Sequence, residues 1–465
     1  MISPAFRMMH RRRRPAAAPP RGARPQPLLG AVALVAPLLM WLEIRLVGRL
    51  FVTELILLAA LPFLLLLRGR LLAAPLPRMF LLLAAMWLLS QIVTDFYRDT
   101  PFIDYSRGWS KITFTTTNFM AIYLLIYGSR QRIVLFTIGV VFGGYLSYLI
   151  NPSEFALSQP WKFGVGNATI ALATVLVIWP PIARTYLLPG LVIMGLGAVS
   201  LYVGSRSLAG VTIVAALYIM MQQVLARRAA VSTRFSAWRS IMFLFVGFVV
   251  TSTFIELYGV VATQGALGEV AREKFEHQSS GTFGVLLGGR SEIFISTQAI
   301  ADSPLLGHGS WAKDPQYSAL LLELEELGYD VNYQASESEL IPTHSHLFGA
   351  WVEAGIVGAV FWLWVLFLAL RVMSNLFLVR EPLAPLITFT GFLLIWDVLF
   401  SPFGFDRRIL MPYNIVVLMF AWETLRASVP EEALMRFRKL IPRRGAAKRQ
   451  RHAQVRRPLR MGPRP

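Results

Sequence analysis

The chain carries six histidines in 465 residues, and two of them, His344 and His346, lie two residues apart at the mouth of a long apolar stretch, THSHLFGAWVEAGIVGAVFWLWVLFLAL. An imidazole takes up or releases a proton near neutral pH. Pro342 and Thr343 read as helix-initiating residues, with Thr343 or Ser345 as the N-cap. A cap at Ser345 puts His346 and Glu353 on one helix face, two turns apart. That is too far for a direct hydrogen bond but suitable for lining one cavity. His344 then precedes the helix and is free to point elsewhere. The bland reading is an interfacial histidine bonded to a backbone carbonyl, and a pair of histidines plus a glutamate at the membrane edge weighs against it.

Two arginines and a third histidine have comparable settings. Arg206, in GSRSLAG (204–210), stands between two strongly apolar runs, so it must snorkel to headgroups or meet an anion. The glycines and serines around it allow close backbone approach. Arg290, in LLGGRSEIF (286–294), follows two glycines and precedes Ser291, a candidate helix cap. A guanidinium beside a helix N-terminus forms an anion site, unless an acid such as Glu292 takes it. His308 sits in a glycine-flanked turn, SPLLGHGSW (303–311), where an incidental histidine is the plainer reading. Together these groups suit neutralising an anionic leaving group while an imidazole takes a proton. The sequence has neither an Asp/Glu set for magnesium nor HExxH for zinc, and the GxSxG hydrolase elbow is missing. The expected chemistry therefore uses no metal and no cofactor.

The elements that must position these residues are membrane helices. Hydrophobic residues make up 55% of the chain and charged ones 15%, in long apolar runs separated by short basic or Pro/Gly-containing breaks. The fold class expected is all-α, a polytopic helical bundle without barrel-type alternation. Twelve candidate spans are 28–44, 51–67, 79–96, 112–127, 133–150, 168–183, 185–203, 207–225, 241–259, 347–370, 384–402 and 410–426. Charges crowd the first two. Of the polar residues at mid-membrane, only Asp397 stands out. Residues 1–26 read as a disordered basic tail without a cleaved signal, 27–430 as the transmembrane domain and 431–465 as a second basic tail.

With both tails cytoplasmic, most of the 45 lysines and arginines fall inside, as the positive-inside bias requires. Segment 260–345 then faces the other side, with acids outnumbering bases and helical spacing at 291–302 and 318–327. The net charge of +19 sits in loops and tails, where it meets anionic headgroups, and no nucleic-acid partner is expected. Cysteine is absent, which excludes disulfides and thiolate metal sites.

The order of these motifs resembles the O-antigen ligase and O-antigen polymerase superfamily of bacterial envelope glycan-assembly proteins. The carrying residues are SRS around Arg206, GGR ending at Arg290, PLLGHGSW, and H-x8-E-x-G-x2-G from His344 through Glu353 and Gly355 to Gly358, with a large loop before the last motif. The likeness covers about 50–425. It implies an inner-membrane glycosyltransferase that moves a glycan from a polyprenyl (undecaprenyl) diphosphate carrier to an acceptor on the periplasmic side, without metal. The acceptor would be another glycan or lipid A–core, in lipopolysaccharide or exopolysaccharide synthesis. By the resemblance, Arg206 and Arg290 bind the diphosphate and His344 is the catalytic base, with His346, His308 and Glu353 as further substrate-binding candidates. Many members have Asn after the motif histidine where this chain has Ser345 and then a second histidine. The spacing to Glu353 favours His344 and leaves His346 open as the base. The rival class is a multi-span transporter or exporter. Against it stand the very short link after the sixth run, PPIAR, and the lack of an internal repeat.

Overall fold

The computed structural model describes residues 27–45, 48–225, 258–265, 292–326, 339–377 and 381–427, with a few single positions between them. The predicted run at 241–259 falls for the most part outside the described residues, as do Arg290 and both tails. The described chain is overwhelmingly helical. Its helices are α1 (Pro27–Leu38), α2 (Val52–Arg68), α3 (Pro75–Tyr97), α4 (Phe102–Ile126), α5 (Arg130–Ile150), α6 (Glu154–Ser158), α7 (Gly166–Leu176), α8 (Pro180–Ala183), α9 (Leu188–Tyr202) and α10 (Arg206–Leu225). Beyond them come α11 (Glu292–Asp302), α12 (Pro315–Glu326), α13 (His346–Leu376), α14 (Ala384–Phe400) and α15 (Arg407–Ala427).

This is an all-α membrane protein. Among the described residues, five segments, Val52–Ala73, α3, α5, α10 and α13, are long and apolar enough to cross a membrane, and Pro27–Trp41, α9 and α14 are shorter apolar helices. The outward faces of α2 and α3 expose Phe63, Leu66, Leu82 and Leu89. In water such a surface would aggregate, whereas in lipid it is the solvated face. The core is aromatic. Phe80 of α3 stacks on Phe119 of α4 at 3.7 Å between ring centroids, and Trp87 and Phe361 continue the layer toward α13.

The first predicted span is shorter than expected. Its apolar helix ends in a 3-10 turn at Trp41, and Glu43–Arg45 pairs antiparallel with Arg49–Phe51 as a small ribbon, β1–β2. The charges that crowded this run are the cause: Glu43 and Arg45 bond to each other at 2.7 Å on the outside instead of entering a span. The sixth run likewise breaks. α7 ends at Leu176 and the prolines start the separate α8, since proline cannot donate the amide an ongoing helix needs.

Buried hydrogen bonds fix helix direction. Gln222, near the C-terminal end of α10, donates to the carbonyls of Leu376 (3.1 Å), the last residue of α13, and Val379 (2.9 Å), just past it. α10 and α13 therefore run parallel, and their N-termini, with Arg206 and His346, lie at one end of the bundle. α14 runs back antiparallel, bringing Val398 and Ser401 to that same end, where Ser345 and His346 bond to their carbonyls.

Candidate functional site

The segment that carries the histidine pair is built around a break in α13. Ser345 caps the helix, its Oγ accepting from the Phe348 amide at 3.2 Å and donating to the Val398 carbonyl at 2.8 Å. Further along, the helix is interrupted at Gly355, whose φ of 66° and ψ of −163° belong to a region open only to glycine. Such a break orphans backbone groups that hydrocarbon cannot satisfy. The segment PLLGHG supplies the partners. The His308 amide donates to the Val352 carbonyl at 2.7 Å, the Gly309 amide to the Glu353 carbonyl at 3.1 Å, and the Ile356 amide to the Pro304 carbonyl at 3.0 Å. From α3, Ser90 donates to the Ala354 carbonyl at 2.9 Å.

The strap is itself clamped. Arg98 donates to the Gly307 carbonyl at 3.0 and 3.1 Å. Asp95, only 3% exposed, accepts from the Ser310 amide (2.6 Å), the Ser310 hydroxyl (2.7 Å) and the Trp109 indole (2.7 Å). His308, a candidate ligand-binding residue, has its Nε2 on the Ala299 carbonyl at 2.7 Å and its ring edge-on to Tyr317 at 5.6 Å. It joins the strap to α11 and α12. Tyr317 donates to Asp302 at 2.7 Å. Burial and then Asp302 push its phenol up to about 12.

Above the helix start, His344 is about one-third exposed, with its Nδ1 3.8 Å from the Glu292 carboxylate at the head of α11. A carboxylate beside an imidazole orients the ring. His346 differs. It is 1% exposed, and its Nδ1 lies 2.6 Å from the Ser401 carbonyl. A carbonyl only accepts, so Nδ1 carries the proton, and the neutral ring presents Nε2 as an acceptor. That Nε2 is buried and has no partner among the described residues.

His346 and Glu353 line one cavity of ≈ 240 Å³, as their shared helix face predicts, and Thr343 and Ser345 on either side of His344 line it too. Glu353 is not alone there: its carboxylate pairs with the Lys111 ammonium of α4. Lys111 escaped the sequence reading because it only borders an apolar run. A lysine at the start of such a run, facing a glutamate at the start of another, was the available signal. Asp95 and Arg98 were hidden similarly at the polar tail of an otherwise apolar segment.

Arg206 is the first residue of α10. Its guanidinium lies 5.5 Å from the Tyr258 ring centroid, and Nη1 is buried without a hydrogen-bond partner among the described residues. The neighbouring Ser205 hydroxyl is buried and unpartnered as well. A helix N-terminus with an arginine and a hydroxyl still to satisfy is suited to an anion. Deeper at this end, Glu54, which interrupts the second apolar run, accepts from Arg408 at 2.8 Å and the Phe51 amide at 3.0 Å. Asp397 accepts from Arg407 at 2.5 Å. These pairs consume their own charges and leave Arg206 as the better-placed cation for a ligand. Among the described residues, no group of His, Asp and Glu could hold a metal ion. Compared with family models and with curated proteins, the chain matches none.

Proposed function

We propose that the chain transfers a glycan from a polyprenyl diphosphate carrier to an acceptor hydroxyl. The observation that carries this reading is the gathering, at one end of an apolar bundle, of an arginine with an unsatisfied guanidinium nitrogen and a histidine paired with a carboxylate. The carrier's isoprenoid lies along the lipid-facing helices, and its diphosphate sits at the N-terminus of α10 against Arg206 and Ser205; the resemblance adds Arg290, outside the described residues, as a second cation. Neutralising the diphosphate makes it a good leaving group. His344, oriented by Glu292, takes the proton from the acceptor hydroxyl as that oxygen attacks the anomeric carbon. The bond from the anomeric carbon to phosphate oxygen breaks, and the carrier leaves as its diphosphate. General-base assistance of this kind supplies roughly 10²–10⁴-fold. The part-exposed, carboxylate-paired His344 suits that role better than the buried His346, whose Nδ1 is fixed on a carbonyl.

In this reading the bundle has twelve spans in a bacterial inner membrane, both tails are cytoplasmic, and the site faces the periplasm. The test is transfer of lipid-linked glycan in membranes containing equal amounts of wild type, His344→Ala and His346→Ala. Loss of transfer is expected for His344→Ala with unchanged expression and thermal stability. Wild-type transfer by a well-folded His344→Ala protein would sink the assignment.

A further inference from the structure

The end of the bundle away from the histidines carries an imbalance of charge. Glu54 opens α2 at the histidine end, so Arg68, the last residue of that helix, lies at the other. There α2, α4, α13 and α15 finish and α5 and α14 begin. Among the described residues the carboxylates at this end are Glu381 and Glu423, and both are taken. Glu381 accepts from Nε and Nη2 of Arg130 at 2.7 and 2.9 Å, and Glu423 lies 3.6 Å from Arg426. Arg68, and Arg132 in the first turn of α5, have no carboxylate within ion-pair distance among the described residues. The two guanidiniums lie close enough to repel one another. Both side chains are half-buried, where water and salt screen a charge less than at an open surface. The dipole of α5 adds to the cost, because a cation in the first turn meets the positive end of its helix.

Helix capping explains only part of this. Arg68 donates to the carbonyls of Leu124, Leu125 (3.2 Å) and Tyr127 (2.7 Å) at the end of α4. A guanidinium offers more donors than these carbonyls use, and a carbonyl carries only a partial charge. Arg132 is not explained by capping, since it is its amide, not its guanidinium, that bonds to Ser129. Two cations held together in this way call for an anion, and a guanidinium fork matches the oxygens of a phosphate. The surroundings say what carries that phosphate. Arg68 follows Leu66 and Leu67, which are 87% and 72% exposed on the hydrocarbon-facing side of α2. A soluble phosphate would leave that apolar surface bare, whereas a lipid covers it with its chains. We infer that Arg68 and Arg132 bind the phosphodiester headgroup of an anionic phospholipid, whose acyl chains run along α2. The lipid acts as the missing counter-ion and joins the end of α2 to the start of α5.

The experiment uses the full chain in micelles of a neutral detergent, titrated with phosphatidylglycerol, with phosphatidylcholine of the same acyl chains, and with inorganic phosphate. Bound lipid is counted by native mass spectrometry, and stability is read as the thermal midpoint. Phosphatidylglycerol is expected to bind saturably, roughly tenfold tighter than phosphatidylcholine, and to raise the midpoint. Inorganic phosphate should do neither. The variant is Arg132→Gln, because Arg68 also caps α4. Relieved of the repulsion, it should be at least as stable as wild type without lipid. It should nevertheless bind phosphatidylglycerol roughly tenfold more weakly and gain little from it. Arg184→Ala removes an exposed arginine at the same end, where Gly190 of α9 packs against Met220 of α10, and should behave as wild type. Equal affinity for the two lipids overturns the inference. So does an Arg132→Gln protein that gains as much from phosphatidylglycerol as wild type does. A lower midpoint for that variant without lipid would make Arg132 a structural residue and overturn it too. Equal losses in Arg184→Ala would mean diffuse attraction without a site, and displacement of the lipid by inorganic phosphate would mean a site for a soluble anion; either result is equally fatal. Glycan transfer enters none of these readouts, so the lipid site stands or falls apart from the transfer reading.

Discussion

Replacing Gly355 by alanine should destabilise the protein far more than a single methyl group would suggest. The added Cβ would fall 1.9 Å from the Leu305 carbonyl oxygen and 2.8 Å from the Leu306 carbonyl carbon. Both atoms belong to backbone, which cannot swing aside as a side chain can. The backbone angles at 355 also exclude alanine at a cost of about 1–3 kcal/mol. Relieving the clash means lifting the strap, and with it the bonds from His308 and Gly309 to the Val352 and Glu353 carbonyls, each worth about 1 kcal/mol net. The sum is roughly 3–5 kcal/mol. The control is Gly195→Ala in α9, where a Cβ meets nothing within 4 Å and alanine is neutral or better. Unfolding of both variants in mixed micelles by increasing SDS gives the comparison. Equal midpoints for Gly355→Ala and Gly195→Ala would refute the idea that the strap is locked to the helix break.

Three further outcomes follow from the same geometry. Lys111→Met strands the Glu353 carboxylate at the cavity wall and should cost about 1–3 kcal/mol, with Lys111→Met/Glu353→Gln recovering most of it in a double-mutant cycle; additive losses would mean the two side chains are not coupled. Asp95→Ala leaves the Ser310 amide, the Ser310 hydroxyl and the Trp109 indole without their acceptor, so limited proteolysis should cut the 303–312 segment sooner than in wild type. Tyr317 titrates higher folded than unfolded, so the folded state holds its proton where the unfolded chain has lost it. Its contribution is therefore complete below about pH 10 and is lost as the pH rises toward 12. Thermal unfolding from pH 9 to 12 should fall more steeply for wild type than for Tyr317→Phe.

The membrane character and most helices were legible because lipid leaves a chain few choices: long apolar runs must close their own hydrogen bonds as helices. Cap chemistry offered Thr343 or Ser345, of which the helix uses Ser345, and from that start helical spacing put His346 and Glu353 on the wall of one cavity. The first span was misjudged where Glu43–Arg45 pairs across a turn with Arg49–Phe51, since ribbon pairing depends on a contact that periodicity does not encode. The role of His308 was hidden for a similar reason. A histidine between two glycines looks exposed in sequence, and only the broken helix opposite gives its amide and ring their partners. Lys111 and Asp95 act on groups more than 200 residues away, and no local pattern in one chain marks such a pairing.

The interruption at Gly355 also bears on how the protein is made. The strap at 304–309 leaves the ribosome well before the helix it secures. Until the two meet, the Val352 and Glu353 carbonyls and the Ile356 amide would face lipid bare, at several kcal/mol. Holding that break in a membrane therefore requires the strap, and the two segments form one folding unit although about 45 residues of chain separate them.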